Sequence, residues 1–432
     1  MADDLVLPDQ SPFAPLQLTF DEQRHCHDLS LQLLERTLHS YDERLAGITP
    51  RHHASLDSAR WKLQKTEEHA SLYSERMRRV RTDLHLPEDQ WDDPTVLLMV
   101  GTIHAPLDEV MLGMTIPTFE ALQLRVATLG NQDISGAMLA KLSRATAERP
   151  FEHLSILYMA SRLPWLVSKV VKPRDFLLLS ASGIVTTAEG ERIGYDLLQP
   201  APLPQCRPLP KPMIRGKFMI GCLYRELEDG TVDVYIQQYL EPLGKVFDSF
   251  VIAGTWQALL GFLRSPLLAE SKKLQWCIAR VDSRRRQRGR LVDERSSSSV
   301  RCSLCFKACG RAGHSRSSDP QRCVLCFAHV CSHCREEREF KVLKRQVKKK
   351  SMIAKRQVWL CRPCLEFVQR QKASDIARYS VLDSVTPAST SAAMDSSTGR
   401  MTWGLLDSDS VPSWSPSQSL SVSSESFESF SW

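Results

Sequence analysis

Four pairs of cysteines, each with two residues between the sulfurs, constrain this chain more than any other feature. They fall in the segment Cys302–Cys364, which holds nine of the 13 cysteines among the 432 residues. The two-residue spacing lets both thiolates of a pair turn onto one ion at tetrahedral geometry, with Zn–S distances of about 2.3 Å. Eight ligands suffice for two closed, structural Zn²⁺ sites. The predicted metal ligands are Cys302, Cys305, Cys323, Cys326, Cys331, Cys334, Cys361 and Cys364.

Other uses of these cysteines are less favoured. The N-terminal stretch MADDLVLPDQ is acidic and has no apolar segment of the kind that a secretory signal needs. We therefore expect a reducing compartment, where structural disulfides are rare. A thioredoxin-type redox motif uses a single CxxC, and an iron–sulfur cluster is a minor alternative. The residues that could replace a predicted ligand are Cys309, His314, His329 and His333.

The order of the pairs predicts how they share the metal. In CVLCFAHVCSHC, the second and third pairs are separated by only four residues. This short spacer favours a cross-brace, in which the first and third pairs bind one zinc and the second and fourth pairs bind the other. The segment has few large apolar residues, so we expect metal binding to supply much of its folding energy.

The charge of this region indicates the kind of surface it contacts. Between Arg284 and Arg370 the chain carries 23 Lys and Arg against 7 Asp and Glu. The densest stretch, KVLKRQVKKKSMIAKR, lies between the third and fourth pairs. Such a stretch is either a solvated loop or a docking patch for anionic membrane, where each cation contributes about 1 kcal/mol. It would also attract nucleic acid. We rank that below membrane because the Arg-rich run RRRQRGR has no interleaved aromatic residues to stack bases.

The cysteine pattern resembles FYVE zinc fingers, which bind phosphatidylinositol 3-phosphate on endosomal membranes. The sequence departs from their signature before the first pair, at the second pair and at the fourth pair, where VWLC stands. The resemblance implies a headgroup site near the second pair, where Arg322 is the adjacent cation. We predict that Arg322, Lys348, Lys349 and Lys350 contact the lipid headgroup. PHD fingers share the spacing but place His where Cys331 stands, and RING fingers use a shorter spacer, so a protein-binding finger remains an alternative.

The region before the finger reads as one mixed domain. The spacing of Thr19 and Glu22 predicts a capped helix whose apolar stripe continues through Tyr41. The segment PTFEALQLRVATLG predicts a second helix, and Asp248–Ser265 a long apolar helix. An Asp-Gly pair in EDGT predicts a hairpin between two strands. The predicted strands are Pro94–Ile103, Arg174–Ile184, Arg215–Leu227 and Thr231–Leu240. Strands followed by a closing helix predict an α+β fold with a curved sheet around that helix.

Several motifs of this domain, in their order, resemble START-like lipid-transfer domains. The most specific are PRDF and VDVYIQQYLEPLGKV, together with LLMVGTIHAPLDEVMLGM and IRGKFMIGCLYREL. With the finger, the chain resembles oomycete proteins that join a START-like domain to a FYVE-type finger. The resemblance implies a helix-grip fold that encloses an apolar cavity for a lipid or sterol. Arg174 and Asp175 are either a polar anchor in that cavity or an ion pair at the end of a strand.

Composition shifts divide the chain into five parts. We predict a flexible leader over 1–18, a START-like domain over 19–281, a basic and Ser-rich linker over 282–300, a zinc finger over 301–370 and a disordered Ser-rich tail over 371–432.

These observations favour a zinc- and lipid-binding adaptor that is cytoplasmic and peripheral to endosomal or other anionic membranes. The alternative is a nuclear or cytosolic regulator whose finger binds a histone tail or the ubiquitin machinery. We expect no catalytic role, because the chain has no G-x-S-x-G, P-loop or H-E-x-x-H motif.

Overall fold

The fold is described from a computed structural model of the chain. The structure describes residues 11–46, 56–67, 69–76, 91, 94–130, 134–161, 172–241, 248–287, 300–309, 322–345 and 351–385. Within these residues, no helix is long and apolar enough to cross a bilayer.

One large sheet dominates the fold. Its strands are β1 Trp61–Glu67, β2 Ala70–Glu75, β3 Thr95–Ile103, β4 Ile134–Ser143, β5 His153–Ser161, β6 Arg174–Thr186, β7 Arg192–Pro200, β8 Ile214–Arg215, β9 Lys217–Glu226 and β10 Val232–Glu241. The strand order is β1-β2-β3-β10-β9-β7-β6-β5-β4. All of these neighbours pair antiparallel, and only the short β8 lies parallel, beside β6.

The helices and the small strands complete the chain. The helices are α1 Phe20–Ala46, α2 Leu107–Met114, α3 Phe119–Gly130, α4 Asp248–Leu263, α5 Ser265–Gln287, α6 Arg362–Gln369 and α7 Ala373–Val385. Two further pairs of strands lie in the cysteine-rich region, β11 Val300–Arg301 with β12 Ala308–Cys309, and β13 Arg335–Arg345 with β14 Ser351–Cys361. The predicted α+β arrangement, with helices against a large antiparallel sheet, is confirmed.

Helices cover both faces of the large sheet. Because side chains alternate along a strand, β3 sends Leu98 into a core with α1, and Leu97 and Met99 into a core with α2 and α4. We call these the α1 face and the α4 face. The predicted hairpin is also confirmed, since Leu227 and Thr231 close the turn between β9 and β10 and Gly230 adopts a positive φ of 78°.

The capping box at the start of α1 is present. The Thr19 N–H donates to Glu22 Oε2 over 2.8 Å, and the Glu22 N–H donates back to Thr19 Oγ1 over 3.2 Å. The described part of the predicted flexible leader differs from expectation. Phe13 packs edge-on against Tyr158, and the Leu16 N–H donates to Leu139 O over 2.8 Å. Residues 11–18 therefore lie against the sheet, held by apolar contacts that composition did not reveal.

The predicted long apolar helix is present and is followed directly by a second helix. The prediction of one helix over Asp248–Ser265 is correct for α4, but a second helix, α5, begins at Ser265 and continues to Gln287. Pro266 stands in the first turn of α5, where a missing N–H costs nothing, although it would interrupt a continuous helix. α2 approaches this junction closely, because a Cβ on Gly113 would lie 2.2 Å from Ser265 O. α5 also enters the predicted linker, which we had placed at 282–300.

The predicted disordered tail begins with a helix. α7 occupies residues that the Ser-rich composition assigned to the tail, and it buries Ala373, Ile376 and Ala377 in the core of the α4 face. Tyr379 lies 6.0 Å from Trp276 of α5, measured between ring centroids. Local composition missed α7 because its apolar partners are distant in sequence. The rest of the predicted tail lies outside the described residues.

Candidate metal centres and a buried polar row

The eight predicted cysteines form two groups of four. Within each group, one ligand atom per residue lies within 4.8 Å of all the others. The first and third pairs form one group and the second and fourth pairs form the other, as the cross-brace predicts. The groups are Cys302, Cys305, Cys331 and Cys334, and Cys323, Cys326, Cys361 and Cys364.

Two tight turns of backbone, which we call knuckle one (302–307) and knuckle two (323–328), set the first and second pairs. In knuckle one, the Cys302 N–H donates to Lys307 O and the Phe306 N–H donates to Cys302 O, both over 2.9 Å. Knuckle two repeats these bonds from Cys323 to Ala328 O and from Phe327 to Cys323 O, over 3.0 and 2.9 Å. Each knuckle therefore holds its two sulfurs toward one point.

The distances between sulfurs fit zinc. Cys305 Sγ lies 3.6 Å from Cys331 Sγ, and Cys326 Sγ lies 3.7 Å from Cys361 Sγ. Tetrahedral ligands at a Zn–S distance of about 2.3 Å are separated by about 3.8 Å. A disulfide needs about 2.05 Å, so these cysteines are free thiols placed as metal ligands. With four sulfurs in each group, a bound ion would have no open position, which is typical of structural zinc.

The thiol pKa values show why a cation belongs between the sulfurs. Burial raises the pKa of Cys302, but hydrogen bonds from backbone N–H groups outweigh it and lower the pKa to about 6. Side-chain hydrogen bonding with Cys331, followed by burial, raises the pKa of Cys334 to about 12. Four thiols this close cannot all ionise without a compensating charge. A divalent cation bound to each group would remove that conflict. The two groups together are therefore compatible with two Zn²⁺.

The two alternative ligands whose side chains are described lie outside both groups. His329 and His333 are described, and neither belongs to a group of potential ligands. His314 and the side chain of Cys309 lie outside the described residues. Arg322 is exposed and forms an antiparallel bridge with His329. Lys348, Lys349 and Lys350 also lie outside the described residues, so the four predicted headgroup contacts stay predictions.

The segment that contains the eight cysteines, which we call the cysteine module, packs against the domain formed by the large sheet and its helices, which we call the sheet domain. Its core contains Val330, Leu360 and Val368 together with Leu274 and Ile278 of α5. The end of α6 is tied to α2 through one buried cation. Lys273 pairs with Glu109 of α2 and also donates to Gln369 O over 3.3 Å.

The ribbon β13–β14 is held in the same way. Lys341 donates to Ala127 O of α3 over 2.6 Å, and Arg338 pairs with Glu270 of α5 over 3.3 Å. Two helices of the sheet domain therefore fix the direction of this ribbon, whose strands contain both ends of the predicted basic stretch, 341–345 and 351–356.

A row of polar side chains crosses the α4 face. The strand register places His153 of β5, Ser182 of β6 and Asp196 of β7 side by side. Further along the same line across the sheet, on β10, the residue is the apolar Ile236. We call the first three residues the polar row. All are buried, and Arg125 of α3 pairs with Asp196 over 2.7 Å.

Some polar atoms on this face lack hydrogen-bond partners. Asp196 Oδ1 on β7 and the hydroxyl of Ser155 on β5 are buried and make no hydrogen bond within the described part of the chain. Burial raises the pKa of Asp196 while Arg125 opposes the shift. Burial also lowers the pKa of His153 to about 3, so its ring is neutral. Orphaned buried polar atoms are rare in native cores, which makes this the best-supported position for the polar end of a ligand.

The two residues considered as a cavity anchor have other roles. Asp175 is fully buried, and its partner is Arg215, 2.9 Å away, rather than its neighbour Arg174. Arg174 donates to Lys172 O over 2.8 Å. Sequence analysis missed Arg125 and Asp196. The available signal was a lone acidic residue in the apolar strand RIGYDLLQP.

Two depressions, of about 490 and 560 Å³, lie along residues 12–17 and along β4, away from the position expected for the apolar cavity. The middle of the α4 face is filled by buried side chains, including Met99, Ile236 and Trp256.

Similarity to known proteins is found among solved structures. No family model and no curated protein matches the chain. Among solved structures, it is similar to human StAR-related lipid transfer protein 5, at 16% identity over 56% of this chain and 97% of that chain, with a TM-score of 0.38. It is also similar to human STARD10, at 12% identity over 51% of this chain and 78% of that chain, with a TM-score of 0.32. A third is a STAR-related lipid transfer protein from Xanthomonas axonopodis, at 15% identity over 48% of this chain and 96% of that chain, with a TM-score of 0.30. At these low TM-scores, the description of the fold rests on the strand order and helix placement of this chain.

Proposed function

We propose that this protein is a zinc-dependent lipid-binding adaptor that docks on anionic membranes. Its sheet domain acts as a START-like, helix-grip lipid-binding domain, and its cysteine module acts as a divergent FYVE-type finger. The observation that carries the proposal is the joint core of the finger and α5, where Leu274 and Ile278 pack beside the zinc ligands. The strands β13 and β14, which contain part of the basic stretch, therefore belong to a unit that packs on the domain proposed to hold an apolar ligand.

The polar row supports the lipid-binding part. Asp196 Oδ1 and Ser155 Oγ offer two separate hydrogen-bonding positions on this face. The polar group of a lipid or sterol would satisfy one of them while its hydrocarbon part lies against the helices. Because buried side chains fill the face, ligand entry requires α4 or α3 to move outward.

The charge of the finger supports the membrane part. The basic stretch begins and ends within the ribbon β13–β14, and its residues between the two strands include Lys348, Lys349 and Lys350. Cations near an anionic bilayer contribute about 1 kcal/mol each, and salt screens this attraction. We propose a cytoplasmic location, peripheral to endosomal or other anionic membranes. Phosphatidylinositol 3-phosphate is the first headgroup to test, and the proposal includes no catalytic step.

Flotation of the full chain with vesicles tests membrane docking. The shared core means that a fragment beginning at residue 284 would lack its α5 packing, so the zinc-loaded full chain is required. We expect binding to vesicles that contain phosphatidylserine or phosphatidylinositol 3-phosphate, and weaker binding when Lys348, Lys349 and Lys350 are replaced by Ala. The control is Lys62→Ala with Lys65→Ala, which removes exposed cations from β1.

The outcome separates the finger from a purely protein-binding module. Selective binding to phosphatidylinositol 3-phosphate would support headgroup recognition, and equal binding to both anionic lipids would reduce the finger to an anchor without headgroup specificity. If the zinc-loaded chain floats with no anionic vesicle at low or physiological salt, the membrane proposal is wrong.

Mass spectrometry of lipids extracted from the purified protein tests the sheet domain. We expect one class of lipid or sterol at up to one molecule per chain, and a reduced amount from the Asp196→Asn variant. A protein that carries no lipid and takes none up from vesicles would refute this part of the proposal.

A further inference from the structure

The two zinc knuckles share one backbone but bury their side chains differently. Both place a Phe directly after the second cysteine, with φ of 59° at Phe306 and 61° at Phe327. Both close with the same pair of backbone hydrogen bonds. Knuckle one can therefore be compared with knuckle two position by position.

In knuckle two, the apolar residue between the cysteines faces the protein. Leu325 is 8% exposed and packs in the core shared with α5. The equivalent Leu304 of knuckle one is 40% exposed, and Phe306 is 71% exposed. Knuckle two therefore buries its Leu side chain, whereas knuckle one exposes both its Leu and its Phe side chains to solvent.

The backbone of knuckle one holds Phe306 in a strained conformation. A bulky residue rarely adopts a positive φ, and such strain is retained where the surroundings enforce it. The Phe306 N–H bond to Cys302 O and the neighbouring zinc ligand Cys305 fix this backbone. Phe327 has nearly the same φ but is only partly exposed, so the exposure of Phe306 reflects the surroundings of knuckle one.

Cations flank the exposed pair. Arg301 and Lys307 are both exposed, and no acidic residue lies between them. A small, protruding apolar tip with cations at its base matches the interface of an anionic bilayer, where apolar side chains enter the acyl boundary and cations meet headgroups. A specific protein interface usually needs about 800 Å² per partner, far more than two side chains present.

We propose that knuckle one is a membrane-inserting tip, in which Leu304 and Phe306 enter the bilayer and Arg301 and Lys307 contact anionic headgroups. This inference rests on the proposed membrane docking and adds a contact that is separate from the basic stretch. The basic stretch supplies salt-sensitive attraction. The tip supplies the part of the affinity that survives high salt.

The test uses the zinc-loaded full chain and vesicles of phosphatidylcholine with phosphatidylserine. The tip variant is Leu304→Ser with Phe306→Gly, because Gly adopts a positive φ freely and preserves the knuckle. The control is Leu63→Ser with Leu267→Ser, which removes side chains of 52% and 58% exposure from β1 and α5. We expect the tip variant to bind at least about tenfold more weakly at physiological salt, given the value of burying two large apolar side chains. The control should bind as the unmodified chain does.

The possible results are distinguishable. If the unmodified chain binds and the tip variant binds equally well, the tip proposal is overturned while membrane docking stands. If the unmodified chain does not bind, both proposals fail.

A second measurement covers the case in which the tip variant loses zinc. Hydrogen–deuterium exchange of the unmodified chain should slow in knuckle one, and not in knuckle two, when vesicles are added. Unchanged exchange in knuckle one would overturn the inference.

Discussion

Removing zinc should loosen α5 as well as the finger. The core of the finger includes Leu274, Cys277 and Ile278, which are 3%, 4% and 5% exposed in the complete fold. If a chelator unfolds the cysteine module, these side chains lose their cover. Complete burial of a Leu or Ile side chain contributes about 1.5–3 kcal/mol, so Leu274 and Ile278 together place the loss at about 3–6 kcal/mol. Packing that remains after the cysteine module unfolds would reduce this loss, so about 6 kcal/mol is an upper limit.

Hydrogen–deuterium exchange resolves this effect along the chain. A loss of about 3 kcal/mol raises the equilibrium constant for opening roughly 100-fold, since each 1.4 kcal/mol is a factor of about ten. We expect peptides from the second half of α5 to exchange faster by about that factor after zinc release, which a chromogenic chelator reports in parallel. Peptides from β7 and β9, which do not contribute to the shared core, should change far less.

A matched pair of variants separates the interface from general destabilisation. Ile278→Ala should cost about 2–5 kcal/mol and weaken zinc retention, because it damages the shared core. Leu29→Ala removes an equally buried side chain, also 5% exposed, from the α1 face. It should lower the melting temperature without changing zinc retention. If α5 keeps its protection after complete zinc loss, the shared core does not couple the two parts and this reasoning is wrong.

Other predictions concern the α4 face and the metal ligands. Ser155→Ala should raise the free energy of unfolding of the ligand-free protein by about 1 kcal/mol, because a buried hydroxyl without a partner is removed. Ser182→Ala should lower it by about 1–3 kcal/mol, because the partners of its hydroxyl stay buried and unpaired; chemical denaturation measures both. The pKa of His153 is lowered from 6.5 to about 3, so the unfolded chain binds more protons in that range. Stability should therefore fall as pH drops below about 6.5, and less steeply in His153→Gln. Elemental analysis should find one zinc per chain in Cys326→Ser and two in Cys26→Ser, since Cys26 lies in the α1 face.

The finger was predictable from sequence because its geometry is local. Two residues between cysteines fix the approach of two sulfurs, and the four-residue spacer between Cys326 and Cys331 prevents adjacent pairs from sharing an ion. The capping box at Thr19 and the Asp-Gly turn at Gly230 were predictable for the same reason. In each case, residues close in sequence determine the contact.

The docking of the finger was not predictable in this way. α5 carries Ala269 toward the α4 face and Ile278 toward the finger, so its two sides belong to different cores. The pattern of α5 shows apolar residues but not which neighbours they meet. Arg125 and Asp196 were missed for a related reason, since a helix and a strand 71 residues apart form their ion pair. Only the assembled sheet brings them together.

Because α5 contributes to the cores of both the sheet domain and the finger, the two parts should not behave as independent units. If the finger were joined by a flexible linker, membrane docking and lipid binding would be independent events at an increased local concentration. Here Trp276 contacts both the core of the α4 face and the core of the finger. Lys273 joins α2 to the end of α6. Any ligand that moves α4 outward must therefore disturb α5, and any force on the finger is transmitted to α2. Because linkage is reciprocal, a membrane that alters the affinity of the sheet domain for lipid must have its own affinity altered by that lipid by the same factor.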